Sequence, residues 1–318
     1  MDSLFPEDPP PQAARLAPKL RALADRGLYF GTSSWKYEGW LGSIYDEARY
    51  RTRGKPSKKK FEDTCLAEYA ATFPTVCGDF AFYQFPTEEY WARLFDPLPG
   101  GFLMGLKVPE EITVAAWPGH ALRGPGGLRN EHFLDAEAFV RFFLKRLSSH
   151  SARVGPIIFE FSTFNKSTFA TTADFLDRLG PFLDALPKGP HYAVEVRNPE
   201  YLGPAYFGTL ADRGVAHAFN AWTRMPALDD MATVPEAFTA DFTVVRALLR
   251  KGRNYEDAVK QFEPYRAVRE PNEGARLGMI GIARLAQRMN KPAFVYVNNR
   301  LEGNAPGTIE AVADELIA

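Results

Sequence analysis

Short apolar runs recur along the chain, each followed by a longer stretch able to form a helix. The runs have strand length and are rich in branched and aromatic residues. They predict strands at Leu28–Thr32, Phe80–Tyr83, Leu103–Val108, Ile157–Phe161, Tyr192–Arg197, Ala216–Phe219, Phe242–Ala247 and Ala293–Val297. The stretches between them predict helices at Glu62–Phe73, Ala136–Ser148, Phe169–Leu186, Tyr206–Asp212, Ala275–Met289 and Thr308–Ile317. Pro11–Arg26 is an additional helix ahead of the first strand.

Strands separated by connections long enough to hold a helix pair in parallel. Eight such units fit a closed (β/α)₈ barrel of the TIM type; an open doubly wound sheet shares the same alternation. A length of 318 residues suits one barrel, read as an N-terminal extension over 1–26 and a barrel domain over 27–318. No dinucleotide fingerprint is present, because Gly124-Pro125-Gly126-Gly127 neither follows a strand nor opens a helix.

Side chains alternate across a strand, so its two faces can be read from parity. In Tyr192–Arg197 one face carries Tyr192, Val194 and Val196, and the other carries Ala193, Glu195 and Arg197. Charged residues are almost never buried unless paired. Glu195 and Arg197 are therefore expected to point into the barrel mouth. Lys107, Glu160, Asn220, Arg246, Asn298 and Asn299 close other strands in the same way. The C-terminal face of such barrels hosts their active sites, so these positions are expected to converge there. A carboxylate among cations is held ionised, which makes Glu195 a base or acceptor. Lys107 reads as an anion anchor, with proton donor or Schiff-base lysine as the alternative. Glu160 is the third catalytic candidate, and Arg197, Arg246, Asn220, Asn298 and Asn299 are substrate contacts. A plug of ion pairs without chemistry is the competing structural reading.

The segment Gly31–Tyr45 follows the first strand and sets Trp35, Tyr37 and Trp40 among glycines. It reads as a loop over the mouth, its rings stacking on a ligand or capping the core. Tyr83 joins Trp35 and Tyr37 as an aromatic substrate contact. Residues 49–60 then carry seven Lys or Arg and no acid, leaving −8 on the rest of a chain whose net charge is −1. A run like this is an exposed loop, or a contact for an anionic partner such as nucleic acid.

Two cysteines, Cys65 and Cys77, are too few for a disulfide framework and fit reduced thiols. The five histidines show no ligand spacing; a divalent metal between Glu160 and Glu195 stays open, and no cofactor is implied. No basic and apolar leader opens the chain, and no apolar run is long enough to span a membrane. A cytoplasmic protein is the expectation. The sequence sets no oligomeric state.

The loop Gly31–Tyr45, Phe82-Tyr83-Gln84-Phe85-Pro86 and Lys107-Val108-Pro109-Glu110-Glu111-Ile112-Thr113 together resemble the YecE-like family of uncharacterised barrel proteins. Gly155–Phe161, Val194-Glu195-Val196-Arg197-Asn198-Pro199, Val297-Asn298-Asn299 and Asn304-Ala305-Pro306 continue the match in order. The resemblance implies a TIM-type barrel and, the family being one of unknown function, no reaction. It also marks a divergent member. The family pattern has Glu and Asn where this chain has Cys77 and Asp79. It has Arg for Gln84, His for Val114, Gln for Glu160 and His for Asn198, while Lys107, Glu195, Arg197 and Asn298 match.

Three functions follow. The leading one is an enzyme, a hydrolase, lyase or isomerase, acting on a small anionic or phosphorylated sugar-like substrate at the barrel mouth. The second is a metal-dependent phosphodiesterase or nucleic-acid enzyme. The third is a non-catalytic ligand-binding barrel.

Overall fold

The structure is a computed structural model that describes residues 10–117 and 127–318. The segment before Pro10, His120 and the glycines at 124 and 126 lie outside the described residues. Eight parallel strands close into a barrel: β1 (Leu28–Thr32), β2 (Thr75–Gly78), β3 (Leu103–Lys107), β4 (Val154–Phe161), β5 (Tyr192–Val196), β6 (Ala216–Ala221), β7 (Thr243–Ala247) and β8 (Ala293–Val297). Strand β8 pairs with β1 from Leu28↔Ala293 to Thr32↔Val297, and β1 pairs with β2 at Gly31↔Thr75. The closed form of the two expected architectures is the one adopted.

Helices surround the barrel, among them Lys58–Thr72, Thr172–Asp184, Pro204–Ala211, Glu273–Arg288 and Ala305–Ile317. Each covers strand side chains that face outward, such as Val194, Val245 and Val295, all fully buried. The helix Pro11–Ala24 buries Leu16, Leu20 and Leu23 and packs on β1 and on the helix Ala305–Ile317. Arg15 and Lys19 tie it to Glu310 and Asp314 of that helix. Inside the barrel, Phe242, Phe294 and Tyr296 meet the small side chains Ala193, Ala216, Ala218 and Cys77. Large against small is how a narrow barrel fills its interior. Gly105 gives room to Tyr296: a Cβ there would lie 2.5 Å from the tyrosine hydroxyl.

The second strand differs from the sequence expectation at Phe80–Tyr83. Thr75–Gly78 is the strand, bridging β1 and β3, and Phe80–Tyr83 turns away from the sheet. Phe80 packs on Trp35 at 5.6 Å and on Trp91 at 6.3 Å, while Tyr83 is exposed. Burial alone cannot separate a strand from an apolar loop that packs on aromatics. Among the described residues four α-helices lie outside the expectation: Glu88–Phe95, Tyr255–Phe262 and the single turns Glu110–Thr113 and Leu228–Met231. The expected helix at Ala136–Ser148 is interrupted by a π-helical turn over Val140–Leu144.

No helix among the described residues is long and apolar enough to cross a membrane.

Candidate functional site

Parallel pairing sets Glu160 of β4 beside Glu195 of β5, and Asn220 of β6 beside Arg246 of β7. The period of two aims all four at the barrel axis, one layer above Ile158, Ala193, Ala218 and Val244. Lys107, the last residue of β3, and Arg197, just beyond β5, complete the layer. Lys107 Nζ lies 3.0 Å from Glu160 Oε2, and Arg197 Nη2 lies 2.9 Å from Glu160 Oε1. Arg197 Nε also reaches Glu195 Oε1 at 3.3 Å. Arg246 Nη1 bridges the two carboxylates, donating to Oε2 of each.

The cluster is dry. Glu195 is wholly buried and Glu160, Arg246 and Lys107 nearly so, while Arg197 keeps a narrow exposed edge. Burial opposes ionisation of Glu160, but Arg197, Lys107 and Arg246 outweigh it and hold this carboxyl well below the usual range. Burial likewise opposes the charge on Arg246, and Glu195 and Glu160 outweigh it, holding the guanidinium charged. Burial pushes the neighbouring Cys77 thiol up to about 12. Three cations thus meet two buried carboxylates, and the surplus positive charge is answered by Asp79, one residue past β2, whose Oδ1 is 3.0 Å from Lys107 Nζ. The Asp79 side chain is 54% exposed, so it is the carboxylate of the cluster that water can reach.

Two rings roof the cations. Phe82 lies over Lys107 Nζ at 3.8 Å from its centroid, and Trp222 lies over the Arg197 guanidinium at 3.9 Å. A cation held against a ring face in a desolvated site is stabilised by roughly 2 kcal/mol. Beside this roof opens a cleft of about 1170 Å³, walled by Trp35, Tyr37, Asp79, Tyr83, Asn298 and Arg300 among others.

A family model described as "Protein of unknown function DUF72" matches residues 29–318. The chain belongs to the DUF72 family. It is 26% identical over 188 residues to the UPF0759 protein YecE of Escherichia coli strain K12, covering 59% of this chain and 55% of that relative. The match thus spans about half the length of the curated relative. A solved DUF72 family protein from Thermotoga maritima superposes with a TM-score of 0.61 at 18% identity, covering 92% of this chain and 99% of that one. One from Enterococcus faecalis gives 0.57 at 16% identity, with 91% and 97% covered. At these identities the solved structures speak for the fold alone.

In this DUF72 chain Lys107, Glu160, Glu195, Arg197 and Arg246 come together in one layer, and Trp35, Tyr37, Tyr83 and Asn298 line the adjoining cleft. Asn220 stands in the layer without joining its ion pairs, and Asn299 does not line the cleft. Asn220 Nδ2 donates to the Val196 carbonyl at 3.0 Å, and Asn299 Oδ1 accepts from Ala305 N at 2.7 Å, holding the start of the last helix. The aromatic loop divides between its two readings: Trp40 and Tyr45 are core, while Tyr37 and an edge of Trp35 face the cleft. The basic segment forms a small ribbon, Arg51–Thr52 against Lys55–Pro56, ahead of the helix Lys58–Thr72. His191 packs at a tilt on Phe242 near the strand starts, and His217 is buried there with Nδ1 3.2 Å from the Tyr206 hydroxyl.

Asp79, Phe82, Trp222 and Arg300 were not expected at the site. Placing β2 at Thr75–Gly78 would have put Asp79 at a strand end like the others. Trp222 directly follows β6, and the same rule of reading past strand ends reaches it. Phe82 and Arg300 sit in irregular segments without periodicity. For a divalent metal, the oxygens of Glu160 and Glu195 are already taken by Lys107, Arg197 and Arg246. A dication there would meet three positive charges, so this donor set does not fit one.

Proposed function

We propose that the barrel mouth is the active site of an enzyme that moves a proton on a small anionic, sugar-like substrate. The observation that carries this reading is Lys107, a buried ammonium shared between the inaccessible Glu160 and the cleft-facing Asp79, 3.0 Å from each. Asp79 is the base, because it alone in the cluster offers an open carboxylate face, and Lys107 is its charge partner and the donor toward a developing oxyanion. Glu160 and Glu195 hold Lys107, Arg197 and Arg246 in place, a fixed field needing no rearrangement during reaction. The exposed edge of Arg197 draws the anion. Tyr37, Tyr83 and Trp35 supply ring faces of the kind that pack on sugars.

The test is proton exchange. Sugar phosphates and sugar acids incubated with the protein in D₂O are followed by proton NMR for loss of a carbon-bound hydrogen. Exchange that disappears in Asp79→Asn, with ligand still bound, supports the assignment; undiminished exchange in that variant refutes it. A second reading, a binding barrel, is favoured by the mutual neutralisation of Glu195 and Arg246, which leaves neither free to react. A ligand that binds tightly and is recovered without deuterium would establish that reading instead.

A further inference from the structure

The cleft has a second pole, away from Lys107. Strands β1 and β8 are neighbours, and their chain continuations stay together, with Ser33 N donating to the Val297 carbonyl at 2.9 Å. Ser33 and Asn298 both stand in the cleft wall, and Arg300 follows two residues on. Each has donor capacity left over. The Ser33 hydroxyl is buried and makes no hydrogen bond. Asn298 uses its Oδ1 to accept from Arg300 N at 3.0 Å, and its Nδ2 has no protein acceptor among the described residues. The Arg300 guanidinium lies over the Tyr255 ring at 4.3 Å, makes a long contact, 3.4 Å, to its hydroxyl, and reaches the Tyr265 hydroxyl as well. Its Nε is buried and unpartnered, and among the described residues it forms no ion pair.

Leaving a buried donor unsatisfied costs roughly 1–3 kcal/mol, and here the Ser33 hydroxyl and Arg300 Nε carry that deficit on two adjacent strand ends. Ser33 Oγ and Arg300 Nε have no partner, and the guanidinium otherwise meets only neutral tyrosine hydroxyls. Arg246 sits behind carboxylates, whereas Arg300 faces the cleft with its charge unanswered. We infer that Ser33, Asn298 and Arg300 form a subsite for a tetrahedral oxyanion, the phosphoryl group of the substrate. A planar guanidinium pre-oriented on an aromatic ring suits two oxygens of one phosphate, with the amide and hydroxyl donating to others. The loop after the last strand is also a recurrent place for phosphate in barrels of this kind.

This assignment rests on reading the mouth cleft as the substrate site, and it concerns binding alone. Inorganic phosphate is therefore the probe, titrated calorimetrically into the full chain at constant ionic strength, with acetate as the planar control. Phosphate should bind at millimolar concentration or tighter and acetate more weakly. Arg300→Gln should weaken phosphate by about tenfold to a hundredfold, the range for a charge-assisted contact. Arg300→Lys should fall between, and Ser33→Ala should weaken it a few fold. The unmutated protein gives a second readout: phosphate should protect Arg300 from phenylglyoxal, mapped by peptide mass. Absence of phosphate binding, an unchanged affinity in Arg300→Gln, or protection only at other arginines overturns the subsite. None of these readouts involves turnover, so the subsite and the role of Asp79 stand or fall separately.

Discussion

Replacing Glu160 by Gln tests whether the barrel mouth is a dry electrostatic unit. The substitution keeps size and removes one charge, so three cations face one buried carboxylate instead of two. Lys107 and Arg197 each lose one of their two carboxylate contacts, and Arg246 keeps only Glu195. Stranding buried charge by removing one partner costs about 3–5 kcal/mol. With about 2.1 cal/mol/K of unfolding entropy per residue, a chain of 318 residues should lose roughly 4–8 °C in Tm. Urea unfolding gives the free energy directly. Arg246→Met in the same chain removes one cation to match the lost carboxylate, so the double variant should be more stable than the sum of the single losses by about 0.5–3 kcal/mol. A loss below about 1 kcal/mol in Glu160→Gln, the size of an exposed pair, would refute the reasoning and place water at the bottom of the mouth.

Three further outcomes follow from local geometry. Burial lowers the folded pKa of His217 to about 3 from an ordinary 6.5, so its contribution is complete above pH 6.5 and is lost as the pH falls toward 3. Glu160, also lowered, adds loss in the same direction at stronger acid. Urea midpoints measured between pH 8 and pH 4 should decline, and His217→Phe should flatten the upper part of that decline; an unaltered slope would count against it. Phe82→Ala uncovers Lys107, whose side chain is 5% exposed, so acetic anhydride should modify it faster than in the parent chain, as read by peptide mass. Gly31→Ala would set a Cβ 1.9 Å from the Thr75 carbonyl oxygen, and the cooperative thermal transition should be lost; a normal melt would mean β1 and β2 can separate there.

The charged layer was legible because a strand imposes a period of two and a parallel barrel collects strand ends on one face. Lys107, Glu160, Glu195, Arg197 and Arg246 each occupy such an end, and each was found by the same argument. The cleft was less legible. Asp79 escaped because Phe80, Ala81 and Phe82 outweigh Thr75 and Val76 in hydrophobicity, although only the latter run pairs with both neighbours. Arg300 and Phe82 act through tertiary contacts, with Tyr255 and with Lys107, that no local pattern records. Asn220 and Asn299 show the converse, since a polar strand end can serve the backbone as readily as a ligand.

The sharing of Glu160 among three cations also constrains how this sequence can drift. No member of the layer can change alone without orphaning a charge, so tolerated changes must come as compensated pairs. Cys77 lies within electrostatic reach of both Arg246 and Lys107, so a carboxylate at that position would face two of the cations that Glu160 serves. An acid placed at 77 should therefore offset part of the charge lost with Glu160, the two positions being alternative seats on one set of cations.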